Sequence, residues 1–308
     1  MSNHHCIDIE SLPEHAVDLI LNRAQAIIDG HTKTGTYPNT IKGKVVYNLF
    51  FEDSTRTRMS FETATLRGGG QVVTMAMKQS SMNKGESFTD TLLTLSAMKP
   101  DAIVMRHTEY NAPLFAAQIM SCPIINAGDS WRAHPTQALL DLLTMRQVVK
   151  GDMRGLTVAI CGDIAHSRVA RSNYITLSRA GVNLRLVAPE MLMPKPKEFT
   201  KAERFTNFEK GIQGVDFIMM LRIQKERLNE GGLHLTDRDY AVEYGLTGER
   251  LDRLAPNAYV MHPGPMNRNL EISDDAADDP RRSLVLKQVA NGVPVRLAVL
   301  EYCFGLLD

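Results

Sequence analysis

Residues 44–70 read KVVYNLFFEDSTRTRMSFETATLRGGG. Lys44 to Phe51 is a β-rich run, Val45-Val46-Tyr47-Asn48-Leu49-Phe50-Phe51, and reads as a strand. Ser54 then opens a helical segment, and Gly68-Gly69-Gly70 closes it. A second β-rich run, Gln71 to Met77, follows at once. Strand, helix and strand in this order form a parallel α/β unit.

The same grammar extends in both directions. Upstream, Pro13 to Asp29 carries Ala16, Leu19, Ile20, Ala24, Ile27 and Ile28 at helical spacing, with Gly30 as the expected stop. Downstream, residues 101–105 and 123–126 read as strands, and 88–98 and 135–149 as helices, the latter with Pro135 in its first turn. The pattern restarts after Gly155. Strands are expected at 156–161, 182–188, 215–221 and 258–261, with a helix after the first of these to about residue 180. The tail 283–307 is helical in period, with a break expected at Gly292 and Pro294. The predicted fold class is α/β, in two domains that are each a parallel β-sheet flanked by helices. The first is expected over 1–135 and the second over 150–285, joined along the 135–149 helix. A C-terminal helix at about 290–308 is expected to pack back onto the first.

Composition narrows the functions open to such a fold. The chain has 308 residues, with 35 Lys+Arg against 35 Asp+Glu, so its formal net charge is zero. A general nucleic-acid or anionic-membrane binder needs a net basic field, and both are set aside. The apolar fraction of 44% supports a sizeable core. No apolar run approaches the ~20 residues of a membrane span, and the N-terminus lacks the basic-then-apolar order of a signal peptide. Cys6, Cys122, Cys161 and Cys303 are scattered, with no C-x-x-C pair. Disulfide scaffolds and zinc ribbons are therefore not expected, and a reduced cytoplasmic location is. Cys122 and Cys161 read as small core residues. His4-His5-Cys6 reads as a frayed terminus rather than a metal site.

In parallel α/β sheets, ligands gather at the C-terminal ends of the strands. After the 44–51 strand come Ser54, Thr55, Arg56, Thr57 and Arg58, three hydroxyls and two guanidiniums at a helix N-terminus. Free N–H groups, hydroxyls and Arg together make an anion site. The rival interpretation is a plain helix cap with solvated arginines. Arg56 and Arg58 differ by about 200° around a helix, so at most one faces a ligand. Arg106 and His107 follow the 101–105 strand. His134 and Gln137 flank the start of the 135–149 helix, where Pro135 holds His134 extended. Arg168 begins the helix after 156–161, behind a Gly162-Asp163 turn that is not a dinucleotide fingerprint. Arg222 and Gln224 follow 215–221, and the stiff loop His262-Pro263-Gly264-Pro265 follows 258–261. Acids here look few, chiefly Asp53 and Asp163. A neutral chain with a cationic cleft for a small, multiply anionic substrate is predicted. No metal constellation and no Ser-His-Asp or Cys-His arrangement can be placed.

These motifs resemble the aspartate/ornithine carbamoyltransferase family. Phe51-Glu52-Asp53-Ser54-Thr55-Arg56-Thr57 is similar to its F-x-x-S-[ST]-R-T signature, and His134-Pro135-Thr136-Gln137 to its H-P-x-Q element. Arg222-Ile223-Gln224-Lys225-Glu226 is similar to the R-x-Q-x-E of the aspartate-using members. His262-Pro263-Gly264-Pro265 matches their H-P-x-P, where ornithine-using members carry H-C-L-P. Arg168 and Arg222 could each grip one aspartate carboxylate.

The resemblance implies transfer of the carbamoyl group of carbamoyl phosphate to the α-amine of L-aspartate, a step of pyrimidine synthesis. It implies an active site in the cleft between the domains and at a subunit interface. Ser54, Thr55, Arg56 and Thr57 would hold phosphate. Thr57, Arg106 and His134 would donate to the carbonyl oxygen, and Gln137 with the carbonyls of Gly264 and Pro265 would orient the carbamoyl NH₂. Arg168, Arg222 and Gln224 would hold aspartate. The stretch Ser80 to Glu86 resembles a loop whose Ser81 (or a neighbouring Ser) and Lys84 enter the adjacent subunit's site. A homotrimer is implied, working alone or with a regulatory chain or a dihydroorotase-like partner. No cofactor is required, because carbamoyl phosphate is already an activated anhydride. Transfer to another amine, and a non-catalytic anion-binding protein on the same fold, remain the alternatives.

Overall fold

A computed structural model describes residues 4–76, 85–223 and 236–307. The chain divides into two compact units, residues 1–143 with 290–308, and residues 144–289.

The first unit is built on a four-stranded parallel sheet. Its strands are β1 (Val45–Phe50), β2 (Gln71–Ala76), β3 (Ala102–His107) and β4 (Ile124–Asp129), in the order β2-β1-β3-β4. The helices are α1 (Glu14–Thr34), α2 (Thr55–Arg67), α3 (Phe88–Ala97), α4 (Ala112–Ile119) and the start of α5 (Pro135–Val149). Every residue of β4 is buried, and all of β3 except Arg106. A cluster including Leu49, Leu92, Leu95, Ile103, Met105 and Ile124 packs α3 and α4 onto the sheet. At ~25 cal/mol per Å² of apolar surface removed from water, such side chains supply the main drive for layering.

The second unit carries a five-stranded parallel sheet. Its strands are β5 (Thr157–Cys161), β6 (Asn183–Val187), β7 (Ala202–Phe205), β8 (Phe217–Met220) and β9 (Tyr259–Met261), in the order β7-β6-β5-β8-β9. Its helices include α6 (Arg168–Arg179), α7 (Phe208–Ile212), α8 (Asp237–Tyr244), α9 (Gly248–Leu254) and α10 (Asp274–Ala277). The C-terminal helix α11 (Val285–Cys303) returns to the first unit from residue 290. Among the described residues, no helix is long and apolar enough to cross a membrane.

Several sequence expectations are corrected. Gly30 does not stop the first helix. The left-handed position falls at Gly35 (φ 71°), whose N–H donates to the His31 carbonyl. Helix α11 runs unbroken through Gly292 and Pro294. At Gly292 a Cβ would lie 2.5 Å from Arg296 Nη1, one turn on, and 3.2 Å from Ser60 Oγ, so the space is already filled by that pair. Strands β3 and β4 run two and three residues beyond the expected ends, so Arg106 and His107 are strand residues. Strand β7 escaped the sequence because it is a half-exposed edge strand, Ala-Glu-Arg-Phe, without apolar alternation.

The N-terminus is not frayed from His4 onward. Cys6 pairs with Ile125 at the open edge of β4, with bonds from Cys6 N to Ile124 O (3.0 Å) and from Asn126 N to Cys6 O (2.8 Å). Ile124 N donates to His5 Nδ1 (3.1 Å), and His4 stacks on Tyr302. Covering the edge in this way removes a row of unpaired backbone groups. Asp8 then pairs with Arg132, which also faces Asp129. Asp129 is fully buried and accepts from Asn126 Nδ2 (2.8 Å), Asn111 N (3.0 Å) and Ala133 N (3.1 Å), so it shapes the turn leading to His134. Asp129→Ala strands these donors. It is expected to cost about 3 kcal/mol of stability, read by urea unfolding. A loss below about 1 kcal/mol would show that the turn holds itself.

Candidate active site

In the first unit, three adjacent strand ends carry the candidate residues. Phe50 and Arg106 are register partners on β1 and β3, and Phe51 N donates to Arg106 O (2.9 Å). The chain turns from β1 into α2, whose N-cap is Ser54. The Ser54 hydroxyl makes no capping bond, so the plain-cap interpretation lacks its defining contact. Thr57 is buried within the first turn, while Arg56 is exposed. Protein packed around part of its side chain lowers the Arg56 pKa from its ordinary value, but the guanidinium stays charged.

Arg106 is held from two sides. Its Nε lies 2.7 Å from Glu52 Oε1, and its Nη1 donates to Ala127 O (3.3 Å). Glu52 lies within the signature segment and escaped the sequence-based list of acids. His107 is occupied elsewhere. Its Nδ1 accepts from Glu109 N (2.9 Å), and its ring packs on Phe51 and Phe88. Burial lowers its pKa, which keeps the imidazole neutral.

His134 is 4% exposed at the start of α5, and Gln137 N donates to its carbonyl oxygen (3.1 Å). Gln137 Nε2 donates to Asp141 Oδ1 (2.9 Å), one turn along the same helix. Asp141 is fully buried, and no sequence motif marks it. Arg296 on α11 is likewise buried, donating to Ser60 Oγ (2.8 Å) and lying over the Phe61 ring. Burial pushes the Arg296 pKa down to about 10, against the attraction of Asp141 and with the repulsion of Arg106. It remains a cation at neutral pH. Asp141 was detectable from its i, i+4 spacing to Gln137. The contact between residues 60 and 296 had no sequence signal.

In the second unit, Gly162 (φ +119°) ends β5. A Cβ there would meet Leu221 O at 2.9 Å, so glycine permits the close approach of the segment bearing Arg222. Asp163 accepts from His166 N (3.3 Å) and lies 2.7 Å from His166 Nδ1. Ser167 caps α6, accepting from Ala170 N, and Arg168 is the first residue of that helix, half-buried. Arg222 is exposed, and Ile223 O accepts from Asn267 Nδ2 (2.9 Å), tying its segment to the 262–267 loop. In that loop Gly264 N donates to His262 Nδ1 (2.8 Å), so the His262 proton sits on Nε2, 3.2 Å from Glu271 Oε1. Glu271 Oε1 also accepts from Asn267 N (2.6 Å). The Gly264–Pro265 bond is cis. Lys84, Ser81 and Gln224 lie outside the described residues.

The expectation that acids would be scarce at the strand ends is corrected. Glu52 and Asp129 lie at strand ends and Asp141 and Glu271 in the segments that follow, all as bonded partners. Each serves to orient a side chain or loop, which a composition count cannot register. Among the described residues, no group of three or more His, Cys, Asp or Glu is placed to hold a metal ion.

Known proteins resemble this chain over nearly its whole length. The model of the aspartate/ornithine carbamoyltransferase carbamoyl-P binding domain matches residues 4–147, and that of the Asp/Orn binding domain matches 154–303. The aspartate carbamoyltransferase catalytic subunit of Magnetococcus marinus is 46% identical, over 99% of this chain and 94% of its own length. Aspartate transcarbamoylase from Trypanosoma cruzi, in complex with carbamoyl aspartate and phosphate, is 31% identical with a TM-score of 0.88, covering 100% of this chain and 97% of that one. Ornithine carbamoyltransferase from Thermus thermophilus is 27% identical with a TM-score of 0.83, covering 98% of each chain. The chain belongs to the aspartate/ornithine carbamoyltransferase family.

Proposed function

We propose that this protein transfers the carbamoyl group of carbamoyl phosphate to the α-amine of L-aspartate, giving N-carbamoyl-L-aspartate and phosphate for pyrimidine synthesis. The observation that carries this reading is the convergence of Ser54–Thr57, Arg106 and His134–Gln137 on the neighbouring ends of β1, β3 and β4. Ser54, Thr55, Arg56 and Thr57 hold the phosphate, using hydroxyls, free helix N–H groups and a guanidinium. The uncharged amine attacks the carbamoyl carbon, and charge grows on the former carbonyl oxygen. Thr57, Arg106 and His134 donate to that oxygen. Gln137 and the Gly264 and Pro265 carbonyls accept from the carbamoyl NH₂. The C–O bond to phosphate then breaks, and the departing phosphate takes up the proton that the attacking nitrogen loses. Arg168, Arg222 and Gln224 bind the aspartate carboxylates, and Lys84 reaches them from a neighbouring subunit.

That last assignment makes a homotrimer the working unit. Exposed Met59 and Leu66 on α2, with Val73 on the edge strand β2, supply apolar surface of the kind a subunit interface covers. Four buried free thiols fit a reducing cytoplasm.

A product assay with carbamoyl phosphate and a panel of amines tests the reading. Phosphate release and a carbamoylated product are expected with L-aspartate. With ornithine, turnover is expected at least ~10²-fold lower, because a cation would enter an arginine-lined site. Ornithine turnover equal to that with aspartate would refute the assignment.

A further inference from the structure

The Gln137 side chain is an amide with two different ends, one donating and one accepting, on a terminal torsion with a two-fold preference. Left alone, it could present either end to a ligand. Asp141 removes that choice. The amide nitrogen faces the carboxyl group, Nε2 donating to Asp141 Oδ1 at 2.9 Å, and a carboxylate there only accepts. Asp141 is fully buried on the same helix, one turn on, and Arg296 places a buried positive charge within electrostatic reach of it. Turning the amide over would set a carbonyl oxygen against a carboxylate oxygen. With Nε2 turned to Asp141, the carbonyl end Oε1 is the end of the Gln137 amide turned away from it.

We propose that Asp141 is a positioning residue for donor specificity: by holding the Gln137 NH₂, it fixes the Gln137 carbonyl oxygen as an acceptor, so that the protein selects an acyl phosphate bearing N–H at the acyl carbon over one bearing methyl. The proposal rests on the reading that carbamoyl phosphate is the donor and that Gln137 meets its NH₂. Acetyl phosphate is the matching probe, since it replaces NH₂ by CH₃ at nearly constant shape. A site built to accept from a substrate N–H leaves that acceptor unpaired with the analogue.

The readout is the ratio of the acetyl phosphate Ki to the carbamoyl phosphate KM, with L-aspartate saturating. Asp141→Asn lets either end of the Gln137 amide point at residue 141. The ratio is expected to fall at least about tenfold, through weaker carbamoyl phosphate binding, while the acetyl phosphate Ki moves less than about threefold. In a Gln137→Leu background, Asp141→Asn is expected to change the ratio less than about twofold, because the residue it acts through is gone. A purely structural Asp141 would weaken both ligands together and would do so in either background. Equal weakening, an unchanged ratio or multiplying effects would each overturn the proposal. If thermal melts show that Asp141→Asn does not fold, the ratio is read on Asp141→Glu, which keeps the charge but displaces it by one methylene. An unchanged ratio there also overturns the proposal. The underlying reading fails separately, by absence of N-carbamoyl-L-aspartate with the unaltered protein. Loss of the ratio in Gln137→Leu but not in the Asp141 variants refutes only the role of Asp141.

Discussion

Arg56→Ala is expected to lower kcat at least ~10²-fold, with the fold intact, because this removes a charged donor at the site where negative charge leaves. Arg56 lies in the first turn of α2 and is exposed, with protein against only part of its side chain, so its truncation removes little packing. Its thermal midpoint should therefore stay close to that of the unaltered protein, as for most surface substitutions. The helix N-terminus and the hydroxyls of Ser54, Thr55 and Thr57 remain, so phosphate binding weakens less than turnover. The split is diagnostic. An interaction stronger in the transition state than in the ground state shows itself mainly in kcat. A fall below tenfold would remove Arg56 from its assigned role. Steady-state phosphate release on the purified variant, beside a thermal melt, measures both quantities.

Two inactive variants are expected to regain activity when mixed. If a site takes Arg56 from one subunit and Lys84 from its neighbour, Arg56→Ala and Lys84→Ala chains can together form intact sites. With random reassembly of equal amounts into cyclic trimers, about one site in four receives both native residues. Activity should rise from near zero to about a quarter of that of the unaltered protein. Different affinity tags on the two chains confirm that exchange has occurred. Mixed trimers without recovered activity would place both residues in one subunit's site.

Much of the fold was legible along the chain because its central strands, β3, β4, β5 and β8, are almost wholly buried. The run 45–51 is rich in β-formers and 156–161 is nearly continuously apolar, and each is closed by Gly or Ser signals at the following turn. Helix α5 was placed to the residue by Pro135 and its apolar period. The expectations failed where a local signal does not by itself end or begin an element. Gly30 offers a stop that the helix does not take, because the left-handed turn falls at Gly35. Pro294 should break α11, yet the helix passes through it to bury Val295, Leu297, Ala298, Val299 and Leu300. His5 and Cys6 gave no strand signal, because an added edge strand is specified by the edge it covers.

The candidate site divides the same way. The sequence by itself determined the cationic and hydroxylic residues, since they sit in short ordered motifs immediately after strands. Chain connectivity alone brings Ser54–Thr57, Arg106, His134 and Gln137 to one edge of a parallel sheet. Only the tertiary structure decided what those residues are bonded to. Glu52 holds Arg106, Asp141 sets the Gln137 amide, Glu271 holds the His262 loop, and Arg296 returns from the far end of the chain to Ser60. The reason is physical. A ligand-facing residue is marked by its own chemistry and by its place after a strand. A supporting residue is marked by a partner up to 236 residues away, and that separation disappears only when the chain folds.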